Sequence, residues 1–336
     1  MNFQTLQKIE NYQFYIERAF QVTKKSMDRI HQMKKPRMKD AEHKRRYGQY
    51  VEIERIKEFS KEVETQLKKV HEKFPGLDKL PPFYNELARV TIRYNSTKKA
   101  LGAIHAAERS CKEVEKKAVT EMKIARSYDL MQNIRKKFYG RVTALLRQMN
   151  ESFKVIEESR RVMKTWPDIK PEIRTVAIAG YPNVGKSSLL KALTGANPDI
   201  QAYAFTTKSL NTGYMNVEPR TYQLVDTPGT FDRSIEEMNN VEKQAYVVLK
   251  HLAEKVIYVF DASESCGYEV ESQLRLAKRI KDFDRPIIFV VNKIDLDTTK
   301  LNKITKEFPE AELISIKEQK GIEALKKSIT KQENKK

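Results

Sequence analysis

The sequence predicts an all-α helical bundle over residues 1–165, a linker at 166–172, and an α/β domain over 173–336 whose mostly parallel sheet carries helices on both faces. Three observations carry that reading. Residues 1–170 hold only four glycines, and their apolar residues step by three or four, the period of a helix with one buried face. From Trp166-Pro167 through Pro171 the pattern changes, and short β-branched runs then alternate with helical segments, as in a parallel sheet with crossover helices. One of those strand-to-helix turns carries Gly180-x-x-x-x-Gly185-Lys186-Ser187, the context a phosphate-binding loop requires.

Taken in order, Ile9, Tyr12, Ile16, Ala19, Phe20, Met27 and Ile30 form a first apolar stripe, and Ile56, Phe59, Val63, Leu67 and Val70 a second. The prolines and glycine of residues 74–84, FPGLDKLPPFY, predict a turn before another helical run from about Tyr84 to Tyr128. Ile134, Phe138, Val142, Leu145, Met149, Phe153 and Ile156 make a third stripe, and an antiparallel bundle with these residues as its core follows. Beyond the linker, strands are predicted at Val176–Ala179, from about Ser209 to Val217, and at Tyr222–Val225, Val256–Phe260, Ile287–Val291 and Leu313–Ile316. Helices are predicted to begin near Gly185, Asn239, Tyr268, Leu301 and Ile322, and an edge hairpin to turn at Glu218-Pro219.

Composition narrows the function classes. No apolar run approaches the roughly 20 residues a bilayer helix needs. The amino terminus, MNFQTLQKIENYQ, lacks the apolar core of a signal peptide, so a soluble cytoplasmic chain without a membrane partner is expected. Cys111 and Cys266 form no metal or disulfide pattern, and His31, His43, His71, His105 and His251 stand isolated along the chain. Net charge is +19, and it is unevenly placed: residues 1–170 hold 39 basic and 22 acidic side chains, residues 171–336 only 25 and 23. Such asymmetry predicts a polyanion, RNA or DNA, as partner of the first segment. The expected contacts are Lys34, Lys35, Arg37, Lys39, Lys44, Arg45 and Arg46, then Arg135, Lys136, Lys137, Arg141 and Arg147. The alternative is that these bases only solvate helix faces, since acids are interspersed among them.

The second segment carries the chemistry. Gly180 and Gly185 let the loop Tyr181-Pro182-Asn183-Val184 turn its amides toward a β-phosphate at a helix amino terminus, with Lys186 reaching the β- and γ-oxygens, Ser187 ligating Mg²⁺ and Ser188 following. In LVDTPG, Asp226 ends the next buried strand 39 residues after Ser187, placed to hold Mg²⁺ through water, and Gly229 offers its amide to a γ-phosphate. PIIFVVNKID places Asn292-Lys293-x-Asp295 at the end of a third strand. An ionised carboxylate only accepts hydrogen bonds, so Asp295 suits the N1–H and amine of guanine, whereas adenine would leave it unsatisfied. GTP and GDP are therefore the expected ligands.

These residues resemble the TRAFAC-class GTPases, and within them the Obg-like branch that contains the nucleolar GTP-binding protein (Nog) family. The likeness rests on IKPEIRTVAIAGYPNVGKSSLL, QAYAFTTKSLNTGYM, DTPGTFDR and NNVEKQAYVVLKHLAEKVIYVFDASESCGYEVESQL, and the basic helical segment ahead of them matches the family as well. The resemblance implies that Thr206 and Thr207 lie in the first switch, with Thr207 taken as the Mg²⁺ and γ-phosphate sensor and Thr206 as the alternative. It also implies that Ser315-Ile316-Lys317 contact guanine, with Ile316 where alanine is usual. The expected role is a switch in large ribosomal subunit assembly that binds ribosomal RNA of the precursor and ribosomal proteins. Off the ribosome the chain is expected to be a monomer, and it would be nucleolar if the source is eukaryotic. A chain ending soon after this domain looks like an archaeal version.

Thr230 follows DTPG where Ras-like GTPases have a water-orienting glutamine, so slow hydrolysis is expected. Related GTPases with an asparagine at position 183 bind K⁺ there, so K⁺ stimulation is expected, the alternative being that Asn183 only braces the loop. A nucleotide-gated RNA-binding adaptor with negligible turnover, not specific to the ribosome, is the competing function.

Overall fold

The computed structural model describes residues 3–32, 40–195, 210–228, 237–296 and 298–331. Among the described residues six α-helices precede the first strand: α1 Tyr12–Gln32, α2 Ala41–Lys73, α3 Pro82–Thr91, α4 Tyr94–Ile124, α5 Tyr128–Gln148 and α6 Asn150–Met163. The chain forms two compact units. One comprises Thr5–Lys79 and Ile92–Arg161; the other comprises Met1–Gln4, Leu80–Thr91 and Val162–Lys336.

In the helical unit, α2 packs against α1, α4 and α5. The expected stripes supply its core: Ile56, Phe59, Leu67, Phe138 and Phe153 are fully buried, joined by Ile104 and Met122 of α4. Phe59 meets Phe138 edge-on at 5.8 Å, and Tyr15 meets Phe153 at 5.0 Å. Local signals start the helices, since Asp40 accepts the amide of His43 at 2.9 Å and the Ser127 hydroxyl that of Leu130 at 3.3 Å. Two predicted runs are broken. The run from Tyr84 to Tyr128 splits between α3 and α4 at Ile92-Arg93, and the third stripe splits at Met149 between α5 and α6. The first break has a packing cause: α3 buries Phe83, Tyr84 and Leu87 in the unit that holds the sheet, and α4 buries its apolar face in the helical unit.

Residues 80–91 thus belong with the sheet, although the sequence reading counts them in a bundle running to residue 165. The fully buried Tyr84 hydroxyl lies 2.8 Å from the Ile169 carbonyl and 3.0 Å from that of Pro167, and accepts the Ile169 amide at 3.0 Å. Its ring stacks on Trp166, whose indole N–H donates to Thr91 Oγ1 at 3.2 Å. The linker of the sequence reading is therefore a packed segment, with Trp166 and Ile169 buried.

The sheet unit runs β1 Arg174–Ala179, α7 Lys186–Thr194, β2 Asn211–Val217, β3 Arg220–Asp226, α8 Asn240–Val247, β4 Ala253–Asp261, α9 Val270–Lys281, β5 Ile287–Asn292, α10 Leu301–Glu307, β6 Glu312–Leu313 and α11 Ile322–Thr330. Strand order is β2-β3-β1-β4-β5-β6; β2 and β3 form the predicted edge hairpin and every other pair is parallel. Burial on both faces explains the continuous apolar runs of β1 and β4. The last strand is shorter than the predicted Leu313–Ile316. Its continuation turns away, and Ser315 pairs its backbone with Lys320 instead.

Candidate nucleotide-binding site

Parallel register brings the carboxy ends of four strands into line. Ile178 of β1 lies beside Asp226 of β3, Ala179 beside Tyr258 of β4, and Asp261 of β4 beside Asn292 of β5. Loops leaving strand ends in one row share one crevice, the usual ligand position in open α/β sheets.

The loop after β1 needs its glycines. Gly180 has φ 138°, and a Cβ there would stand 2.5 Å from the Val259 carbonyl oxygen; Gly185 has φ 106°, and a Cβ would collide with the Asn292 amide. Asn183 takes φ 62°, which an asparagine tolerates better than most residues. Tyr181 and Val184 are buried, with the Tyr181 ring 4.4 Å from that of Tyr268, while Pro182 is half-buried and Ser188 is exposed on the first turn of α7. Lys186 is buried and its ammonium donates to the Tyr181 carbonyl at 2.8 Å. Burial lowers its pKa, opposed by the charge of Asp226.

Ser187 donates its hydroxyl to Asp226 Oδ2 at 2.6 Å, and Asn211 reaches the same oxygen at 3.5 Å. Burial pushes the Asp226 carboxyl up despite these donors and Lys186. A desolvated carboxylate beside a hydroxyl is an all-oxygen set suited to a hard divalent cation such as Mg²⁺. Thr227 anchors the segment by donating its amide and its hydroxyl to the Ile178 carbonyl at 3.0 and 2.9 Å. Thr206, Thr207, Gly229 and Thr230 lie outside the described residues.

The loop after β5 is tied to the first. Asn292 donates to the Val184 carbonyl at 2.9 Å and accepts the Ile316 amide at 3.4 Å. Lys293, at φ 62°, sends its ammonium to the Asn183 carbonyl at 2.9 Å. Asp295 accepts the Ser315 hydroxyl at 2.6 Å, and that bond holds its carboxyl below the usual range. Ser315 also accepts the Glu318 amide at 3.1 Å, closing the turn that carries Ile316 and the exposed Lys317. The structure thus gathers Gly180–Ser188, Asp226, Asn292, Lys293, Asp295 and Ser315–Lys317 at one sheet edge.

One residue of this edge was not singled out by sequence reasoning. Asp261 is fully buried and accepts the Ser263 amide at 3.0 Å, the Ser263 hydroxyl at 2.5 Å, the Ser265 hydroxyl at 3.0 Å, the Cys266 amide at 2.9 Å and the Lys293 ammonium at 2.8 Å. Burial alone would raise its pKa, but Lys293 and the serine donors outweigh burial and lower it. Gln273 grips the backbone of the same residue, accepting its amide at 2.8 Å and donating to its carbonyl at 3.0 Å. Only the selective SESCGY wording hinted at this network.

The basic residues divide. Lys44 and Arg46 are exposed, and Arg46 pairs with Glu42 at 2.6 Å. Lys44, Arg45, Arg126 and Tyr128 line an open cavity of about 660 Å³. Lys136, Lys137 and Arg141 are exposed on α5, as is Arg147, whose guanidinium lies 6.0 Å from the Tyr12 ring. Arg135 departs from the expected outer face: it turns inward and pairs with buried Glu52 at 2.5 Å, a carboxylate that Arg55 also holds at 2.8 Å. Lys34, Lys35, Arg37 and Lys39 lie outside the described residues.

The sequence also misses a second cluster. His71 and His105, read as isolated, stand together with Glu108 in the helical unit. Among the described residues no helix is long and apolar enough to cross a membrane.

Comparison with known proteins agrees with the two-part organisation. Residues 3–170 match the NOG1 N-terminal helical domain, and residues 175–293 match the family described as 50S ribosome-binding GTPase. The uncharacterized protein MJ1408 of Methanocaldococcus jannaschii is 40% identical over 250 residues, covering 74% of this chain and 70% of that protein. Nucleolar GTP-binding protein 1 of Saccharomyces cerevisiae is 34% identical over 264 residues, covering 78% of this chain and 40% of its own length. The Drosophila melanogaster protein of that name is 36% identical over 235 residues, covering 69% of this chain and 36% of its own. The chain therefore spans well under half of these two eukaryotic relatives. With the NOG1 helical domain over one half and a P-loop GTPase domain over most of the other, the chain belongs to the nucleolar GTP-binding protein 1 family.

Proposed function

We propose that the chain is a slow, Mg²⁺-dependent GTPase that switches between GTP and GDP states during large ribosomal subunit assembly, with its helical unit binding ribosomal RNA. The observation that carries the nucleotide part is the tie between loops: Asn292 and Lys293 bond to the carbonyls of Val184 and Asn183 while Asp295 is held by Ser315 beside them. Phosphate loop and base loop therefore form one rigid frame in which an acceptor-only carboxylate selects guanine.

Within that frame Gly180, Gly185 and the amides from Tyr181 to Ser188 cradle the phosphates. Lys186 exchanges its bond to the Tyr181 carbonyl for phosphate oxygens, where its desolvated charge is worth most. Ser187 and Asp226 would hold Mg²⁺, which supplies neutralising charge on the β- and γ-phosphates. Thr207, or Thr206, and Gly229 sense the γ-phosphate and order the switches around it. Ile316 and Lys317 present backbone amides to the base edge. Thr230 stands where Ras-like GTPases have a water-orienting glutamine, so turnover is slow.

The ribosomal part is supported by the description of the matched family, 50S ribosome-binding GTPase, by the nucleolar name of the eukaryotic relatives and by the charge of residues 1–170. Lys44, Arg45 and Arg126 around the open cavity, with Lys136 and Lys137 on α5, are the proposed phosphate contacts. Ribosomal proteins of the same precursor are further proposed partners.

Multiple-turnover phosphate release in KCl and in NaCl at equal ionic strength, with and without large-subunit RNA, tests this reading. Slow release that K⁺ accelerates is expected, with Asn183→Ala abolishing the K⁺ effect. Equal rates in the two salts would contradict the K⁺ role, and no release under any condition would leave a nucleotide-gated adaptor instead.

A further inference from the structure

We propose that the helical unit binds one transition-metal dication, zinc by preference, through His71, His105 and Glu108. His71 stands in the last turn of α2, and His105 and Glu108 are three residues apart on α4, hence on one face of that helix. The helices α2 and α4 pack against each other, so the three side chains meet across that seam.

The three donor atoms lie within 4.8 Å of one another. His71 Nε2 is 2.6 Å from Glu108 Oε2, and His105 Nδ1 is 3.5 Å from His71 Nε2 and 3.7 Å from Glu108 Oε2. Zinc bonds of about 2.0–2.1 Å in a tetrahedron place neighbouring ligand atoms about 3.3–3.4 Å apart. Two of the three separations are already close to that edge, and only the His71–Glu108 hydrogen bond must open, by under about 1 Å. The ion takes the place of the shared hydrogen: His71 presents the Nε2 lone pair and carries its hydrogen on Nδ1 instead.

Two imidazoles and one carboxylate favour zinc, copper or nickel over magnesium or calcium, which take all-oxygen shells. The His71 and Glu108 side chains are 14% and 21% exposed and His105 53%, so an ion enters past His105 and keeps water in its fourth position. Bound there, it clips the end of α2 to the middle of α4 and stabilises the unit by mass action.

The test is calorimetric titration of the chelator-stripped full chain with ZnCl₂, in excess Mg²⁺ and GDP to fill the nucleotide site, alongside thermal unfolding. One zinc per chain and a raised unfolding midpoint are expected. His105→Ala and Glu108→Gln should fold normally, as circular dichroism would check, and weaken zinc about 100-fold or more, since even outer partners of metal ligands contribute 10–100-fold. Co²⁺ should give a four-coordinate visible spectrum that His105→Ala abolishes. Zinc bound equally by wild type and His105→Ala, or none bound by wild type, would overturn the site and leave His71 and Glu108 as a plain hydrogen-bonded pair.

Discussion

Asp261 shows how a single buried side chain can position a site through one of its residues, Lys293. It accepts the Lys293 ammonium at 2.8 Å while the Asn183 carbonyl accepts it at 2.9 Å, so the lysine is fixed at both contacts in the loop proposed to carry the base. Asparagine at 261 would keep the shape, lose the charge, and turn one acceptor into a donor facing either Ser263, at Oδ1, or Ser265, Cys266 and Lys293, at Oδ2. Asp261→Asn is therefore expected to weaken GTP and GDP together by about tenfold or more, the scale of one charged hydrogen bond. Selection against ATP should survive, because Asp295 and Ser315 are untouched. Fluorescent-nucleotide titration of the folded variant reads both quantities, and unchanged GTP affinity would refute the positioning role.

At the scale of elements, the α6 carboxylate Glu157 is a comparable device. It accepts the Ile9 amide at 2.9 Å, Arg160 at 2.7 and 2.8 Å and Arg161 at 3.0 Å, joining the residues before α1 to α6. Burial acts to raise its pKa, but the two arginines and the amide more than reverse this, lowering it from 4.5 to about 2. A depressed carboxylate contributes stability that is complete above the unfolded value and lost as pH falls through the folded one. The wild-type chain should thus lose stability between pH 4.5 and about 2. Glu157→Gln should be less stable at neutral pH and show a flatter acid limb in urea melts; identical limbs would rule out this role for Glu157.

Legibility in the sequence varied for physical reasons. Phosphate binding needs consecutive amides and two glycines in fixed order, so Gly180 to Ser187 could be read directly, and Asp226 and Asn292–Asp295 followed from apolar strands of known direction. The partner of a helix is a different matter. The faces of α3 and α4 share one period, and nothing in Phe83, Tyr84 and Leu87 announces that they pack with the sheet rather than with α2. His71 and His105 meet through the packing of α2 on α4, a juxtaposition that sequence spacing does not carry. Arg135 looked equivalent to Lys136 and Lys137, yet helix phase turned it toward Glu52.

Across the whole molecule, the charge asymmetry sets the expected partner, and helix phase sorts which bases are available. Lys136, Lys137 and Arg141 are exposed on α5, whereas Arg135 is bound to a buried acid. Replacing the three exposed bases by alanine should lower affinity for large-subunit RNA. It should also reduce the slope of log affinity against log salt by about 2–3, at roughly 0.7–0.9 for each phosphate no longer neutralised. Arg135→Ala should instead destabilise the fold, since it strips one of two partners from buried Glu52. Filter binding across KCl concentrations separates the two, and an unchanged slope in the triple variant would place the RNA face elsewhere.

In the proposed function, three loops at one sheet edge grip a guanine nucleotide, and a single acid, Asp295, discriminates the base. Calorimetric titration of the nucleotide-free chain in excess Mg²⁺ with GTP and with ATP tests it most directly. One GTP bound per chain, with ATP at least about 100-fold weaker because Asp295 would face no donor pair, is the predicted result. Equal affinity for the two, or no binding of either, would contradict it.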